Sequence, residues 1–344
     1  MNIIIIGGTG LLGNQATNVA LERGHSVSSL AVEDAHAEEW YSKQAKSYTG
    51  DVFSMSEDEL YEFFKQGGYD SMIYAVGPDD RYSPHENAYN FFYEKLVNQC
   101  SKVFRAARKA GIKKASLCSS YFLYFDRAFP KKKLSTYHPY IKVRKEQAEA
   151  IIKIATEENG DLPKMDVYVM ELPYIFGTCP YRRPIWRETF LDHFAKGKKM
   201  IMFPKGGTVM ATTRHIGEAL VGSLEYGPDG ECKHYSIGDE NHDYNWMLDK
   251  LLIGIQGKPM KIWNPPKYLC AIGADLLITK PDNRKGIYHG LDYFHLMTDI
   301  QSDYFYYPEN EIEDTCAELH IKRGGVEEAV IESGKACYDP GEWK

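Results

Sequence analysis

Ile3-Ile4-Ile5-Ile6-Gly7-Gly8-Thr9-Gly10-Leu11-Leu12-Gly13 stands at the head of a chain of 344 residues, and its reading decides the fold. Four consecutive isoleucines make a strand buried on both faces, the pattern of a parallel sheet. The glycines follow at once. Gly7 permits a tight turn, Gly10 lets the backbone approach a pyrophosphate, and Gly13 lets the next helix pack closely on the strand. The N-terminus of that helix favours an anion, with Thr9, Leu11 and Leu12 beside it. No Gly-Lys-Ser/Thr ending follows, which excludes a kinase- or ATPase-type loop.

Outward from the loop, short β-branched runs alternate with amphipathic segments, the signal for βαβ units. Helix is expected over Leu12 to Arg23, Tyr89 to Lys109 and Val143 to Ala155. Strands are expected over Ser26 to Val32, Ser71 to Val76, Lys114 to Cys118 and Val167 to Leu172. The predicted class is α/β: a Rossmann-type doubly wound parallel sheet with helices on both faces in residues 1–177, rejoined by 208–240. A smaller C-terminal substrate lobe is expected from 178–207 and 241–344, where the texture changes at the loop Cys179 to Pro184 and aromatics cluster at Tyr304 to Tyr307.

Composition narrows the function. With 41 Lys+Arg against 48 Asp+Glu the chain carries a net charge of −7, which argues against a nucleic-acid partner. No apolar stretch approaches the roughly 20 residues that span a bilayer. Met1-Asn2 leads into the isoleucines without the basic segment of a signal peptide, so a cytoplasmic protein without a membrane partner is expected. Seven cysteines without a Cys-x-x-Cys pair fit reduced thiols. His193, His289 and His295 lack ligand spacing, and no metal is expected.

In this context the chain resembles the extended short-chain dehydrogenase/reductase family, which includes NAD-dependent epimerases, dehydratases and ring-ketone reductases. Gly50-Asp51-Val52 is similar to the family's Gly-Asp step, where the acid receives the adenine amino group. Ala75, Val76 and Gly77 resemble the strand end beside the adenosine and pyrophosphate, and Pro173-Tyr174-Ile175-Phe176 the strand end lining the nicotinamide. The resemblance covers roughly the first 180 residues and implies a nicotinamide dinucleotide as cofactor. Ala31-Val32 holds the place of the usual ribose indicator; the acidic Glu33 and Asp34 that follow would repel a 2′-phosphate, so NAD is expected, with NADP left open. The resemblance also implies a homodimer packed through Tyr89 to Lys109 and Val143 to Ala155.

In that family a Ser or Thr holds the substrate oxygen, a Tyr exchanges the proton, and a Lys four residues later supports both Tyr and ribose. Residues i and i+4 are neighbours on a helix. Ser119-Ser120-Tyr121-Phe122 resembles the Ser-rich strand end, with Ser120 as the candidate hydroxyl and Ser119 a neighbour that satisfies the backbone. Pro139-Tyr140 matches the entry of the active-site helix, but four residues on stands Arg144, with Lys145 displaced by one. Two registers are open: Tyr140 with Arg144, or Lys145 in the family's Lys position with Ile141 where the Tyr belongs. The first is adopted, because a slip of one residue rotates each side chain by about 100°. Catalytic candidates are therefore Ser120, Tyr140 and Arg144, with Lys145 kept as a cofactor contact.

Tyr121, Phe122, Tyr124 and Trp186 would form an apolar pocket suited to a ring-bearing small molecule. The expected activity is hydride transfer between nicotinamide and a secondary alcohol or ketone. Two alternatives stand beside it: a nucleotide-sugar epimerase or dehydratase, with Arg182, Arg183 and Arg187 on a loop that could close over the ligand but Arg214 out of the family's register and His215 in place of its Asp, and a dinucleotide-binding sensor or scaffold without turnover, favoured by the missing Lys.

Overall fold

A computed structural model describes residues 1–157 and 162–343. The isoleucine run is the strand β1 (Asn2–Ile6), and around it six more parallel strands form one sheet. They are β2 (Ser26–Ala31), β3 (Lys46–Thr49), β4 (Ser71–Tyr74), β5 (Lys114–Ser120), β6 (Asp166–Leu172) and an edge strand, Lys233–Ser236. From the edge strand the order runs through β6, β5, β4, β1 and β2 to β3. Register is set by burial on alternate faces: Ile4 pairs with Met72 on one side of β1 and with Ser28 on the other.

Both faces of this sheet are covered. Ile4, Ile6, Met72, Tyr74, Leu117 and Val169 pack under the helices Glu57–Gly67, Gln99–Ala110 and Pro139–Thr156. Ile3, Ile5, Ile73 and Met170 pack under Leu11–Glu22 and Thr213–Tyr226. The helix expected at Tyr89 runs from Ala88 to Ala110 with a wider π turn at Tyr93–Asn98. Strand β3 and the helix Glu57–Gly67 are additions to the sequence reading. The helix had a signal in the capping box of Ser56 and Glu59, in which each side chain takes the other's backbone N–H.

Within the expected returning stretch 208–240, the helix Thr213–Tyr226 and the strand Lys233–Ser236 join the large sheet. The strand Gly207–Thr212 does not. It pairs with Tyr174–Phe176, Glu240–Asp243 and Tyr304–Phe305 in a second sheet, because Phe176 and Met210 turn into a separate core with Trp186, Phe203, Tyr244 and Leu248. All seven cysteines are free thiols, and no described helix is long and apolar enough to cross a membrane.

The glycines of the first loop are unequal. A Cβ on Gly13 would lie 2.1 Å from the Gly7 carbonyl oxygen, and Gly7, at φ +86°, would meet the Ala75 carbonyl at 2.8 Å. Gly10 would approach only the Gly7 oxygen, at 3.1 Å. Gly13→Ala is therefore expected to cost about 2–3 kcal/mol of stability. Gly10→Ala is expected to stay within about 1 kcal/mol of wild type yet to weaken NAD(P)H binding about tenfold. Chemical denaturation and fluorescence titration of NAD(P)H check the pair; equal stability losses would refute the distinction.

Candidate active site

The chain runs outward from β1 through β2 and β3, then returns to lay β4 on the other side of β1. That reversal leaves a crevice at the carboxyl ends of the strands, where open α/β sheets bind ligands. A cavity of about 320 Å³ lies there, reaching from Leu11 and Leu12 past Ala75, Val76 and Gly77 to the ends of β5 and β6. Gly10 is the N-cap of the helix Leu11–Glu22 and gives it no side-chain cap. The first N–H groups of that helix are thus left for a ligand, the chemistry of a diphosphate site.

Tyr140 and Arg144 stand in the cavity wall, both buried. Arg144 Nε donates to Tyr140 Oη at 2.9 Å, and its Nη1 donates to Gln147 Oε1 at 2.9 Å and to the Cys118 carbonyl at 3.3 Å. Burial pushes the Tyr140 phenol up to about 12, against the opposing pull of Arg144. The helix entry is fixed from the second lobe. Tyr140 N donates to the Gly290 carbonyl at 2.9 Å, and a side chain on Gly290 would strike Phe92 at 2.6 Å. Two residues earlier, His138 Nδ1 accepts from Asp292 N at 2.9 Å, so its Nε2 carries the proton toward His295 Nδ1, also at 2.9 Å. Burial, then the neighbouring His295, holds His138 down at about 3.

Other expected residues divide. Ser120, Tyr121, Phe122, Pro173, Tyr174, Ile175 and Trp186 line the same cavity. Ser120 Oγ accepts from Phe122 N at 3.4 Å, which leaves its O–H free to donate. Ser119 was expected to satisfy the backbone, yet its Oγ has no partner among the described residues. Thr9 lies instead on an adjoining cleft of about 590 Å³ beyond β2, with Val32, Glu33 and Asp34.

Several candidates lie elsewhere. Lys145 points outward to Asp126 at 3.5 Å, since one step along the helix from buried Arg144 turns it to solvent. Asp51 uses its carboxylate on its own loop, accepting from Phe53 N at 2.9 Å and Ser54 Oγ at 2.8 Å, with Val52 buried below. Tyr124 donates to Glu311 at 3.1 Å and packs on Tyr307, outside the cavity. Phe176 is buried behind Trp186, stacked at 4.4 Å. The four candidate arginines are taken by acids: Arg182 by Asp34, Arg183 by Asp339 and Glu342, Arg187 by Asp192, and Arg214 by Glu22 and Glu218.

Sequence reasoning missed the turn Asp79-Asp80-Arg81 after β4, which no periodic pattern marks. Asp80 lines both this cavity and a second chamber of about 330 Å³ walled by Tyr174, Phe190, His289 and Tyr293. Burial first, then the adjacent Asp79 carboxylate, raise Asp80 to about 6.

A family model described as NAD(P)H-binding matches residues 7–156. A search of curated proteins finds no match. Among solved structures, one of the protein gox2253 is 18% identical, with 97% of each chain covered and a TM-score of 0.71. UDP-glucose 4-epimerase from Bifidobacterium longum, in complex with NAD+ and UDP, is 14% identical, with 98% of each chain covered and a TM-score of 0.68. MoeE5 in complex with UDP-glucuronic acid and NAD is 12% identical over 97% of this chain and 98% of that one, with a TM-score of 0.64.

Because His138 stays neutral when folded, its contribution is present above its unfolded value near 6.5 and is lost as pH falls toward about 3. His138→Asn is expected to flatten the fall in melting temperature between pH 6.5 and pH 4. An unchanged difference between the two pH values would contradict a buried neutral histidine.

Proposed function

Starting from a chain with the fold of the epimerase/dehydratase-like short-chain dehydrogenases/reductases, whose residues 7–156 are an NAD(P)H-binding domain, we propose an oxidoreductase acting on a secondary alcohol or ketone of a small cyclic substrate. The observation that carries this reading is the 2.9 Å bond from Arg144 Nε to Tyr140 Oη at the mouth of the glycine-loop crevice. NAD(P)H, when bound, supplies the hydride to the carbonyl carbon. Tyr140 gives its proton to the carbonyl oxygen as that oxygen gains the electron pair. Its Oη already accepts from Arg144, so its hydrogen is turned away from the guanidinium and available to substrate. Arg144 holds the resulting phenolate, and solvent returns the proton. Ser120 donates its O–H to the same substrate oxygen.

A phenol at about 12 is protonated at neutral pH, which supports ketone reduction as the direction served. Arg cannot relay a proton as Lys does, so its role is a fixed positive field. Glu33 on the adenosine-side cleft supports NAD as the cofactor, while Asp34 beside it is paired with Arg182. A nucleotide-sugar epimerase is the second reading, favoured by the UDP and UDP-sugar complexes among the structural neighbours. The ion-paired arginines weigh against it, because none is left unpaired to grip a diphosphate.

Oxidation of NADH by a panel of cyclic ketones, set against thermal stabilisation by UDP-sugars, separates the two. Tyr140→Phe is expected to lower ketone reduction by at least about 10²-fold with NADH affinity kept; full turnover would overturn the assignment. Reduction should show no alkaline limb until pH nears 12, since only there is the proton on Tyr140 lost. Ionised Asp80 strengthens the hold on that proton, so Asp80→Asn is expected to remove any rate inflection near pH 6. An inflection persisting in the variant would free Asp80 of the role.

A further inference from the structure

We propose that residues 267–284 dock this protein flat on an anionic lipid surface. The segments Lys267–Ala274, Asp275–Thr279 and Lys280–Arg284 follow one another in helical conformation, with a π turn in the middle. Tyr268, Ile272 and Leu276 recur every fourth residue, and Leu269 and Leu277 lie beside them, so five large apolar side chains share one outward arc. Leu277 is 79% exposed and Tyr268 60%. The other side is occupied: Ala271 and Ala274 are buried, and Ile278 and Asp282 line the second chamber. An apolar stripe of this size on an outward helix face marks an interaction surface.

Charge selects the occupant. Residues 258–285 carry six cations (Lys258, Lys261, Lys267, Lys280, Arg284 and Lys285) and two acids, within a chain whose net charge is −7. Both acids lie against lysines of the same segment, Asp275 on Lys280 at 2.7 Å and Asp282 on Lys285 at 3.7 Å. A few residues before the helix in sequence, Trp263 is exposed, and so is Met202, which sits opposite it on the paired strand. Apolar side chains with an interfacial Trp and Tyr, bordered by Lys and Arg, make the surface of a helix that lies in the headgroup region. A second copy facing this stripe across a two-fold axis would set cations against cations. Hydropathy excludes a spanning segment but does not register one that lies flat.

The inner side of this helix walls the chamber next to Asp80. If the oxidoreductase reading holds, an apolar ring dissolved in lipid would reach the chamber along that wall; the docking itself does not depend on activity.

Co-sedimentation of the full chain with vesicles tests the proposal. Phosphatidylcholine vesicles containing phosphatidylglycerol are expected to pellet about tenfold more protein than phosphatidylcholine alone, with the excess removed by high salt. Leu276→Ser/Leu277→Ser and, separately, Lys280→Glu/Arg284→Glu are expected to stay in the supernatant while keeping wild-type melting and NADH binding. Failure to pellet with anionic vesicles, or pelleting of both variants like wild type, would overturn the proposal. So would a dimer in light scattering that Leu276→Ser/Leu277→Ser dissociates, which would assign the stripe to a second copy.

Discussion

A guanidinium buried at the end of a sheet must spend its donors on acceptors held in place, and Arg144 does so on Tyr140 Oη, Gln147 Oε1 and the Cys118 carbonyl. Those three partners come from two elements, the helix Pro139–Thr156 and β5, so the bond network ties the helix to the sheet where the crevice opens. The second lobe closes the arrangement. Gly290 and Asp292 take up the backbone of Tyr140 and the ring of His138, and the helix entry has little room to shift. Tyr140 is thereby a phenol with one side fixed to a cation and the other to a cavity.

Replacing an ammonium by a guanidinium changes what the site can do. A lysine can pass protons along a chain of hydroxyls; Arg144 offers a planar, permanently charged fork that orients without exchanging. Burial meanwhile keeps Tyr140 protonated, and the nearby Asp80 carboxyl adds to the hold on that proton when ionised. The chemistry we propose for this pair is proton donation to a developing oxyanion. The same chamber continues past Asp80 into aromatic walls contributed by the second lobe, including Tyr293 and Phe190.

Much of this was legible before any coordinates. The isoleucine run and three glycines announced a parallel sheet and a helix opening straight after its first strand, because periodicity and missing side chains are both written in sequence. Pro139-Tyr140 with Arg144 was legible because i and i+4 meet on any helix. Asp51 and Tyr124 were placed by motif, which gives position along the chain but not which way a loop spends its carboxylate or hydroxyl; in this structure Asp51 accepts from its own loop and Tyr124 donates to Glu311. The Asp79-Asp80-Arg81 turn was illegible because no periodic pattern marks it, and the aromatic second chamber because its walls come from residues more than a hundred positions apart, such as Tyr174 and Tyr293.

The central claim is that Arg144 holds Tyr140 at a dinucleotide's reactive carbon, and a crystal structure with NADH bound tests it most directly. The account predicts the diphosphate at the N-terminus of Leu11–Glu22, the nicotinamide between Pro173–Ile175 and Ser120, and Tyr140 Oη still accepting from Arg144 while facing the nicotinamide C4 across a substrate-sized gap. A nicotinamide bound elsewhere, or Lys145 turned in to the ribose with Arg144 displaced from Tyr140, would contradict it.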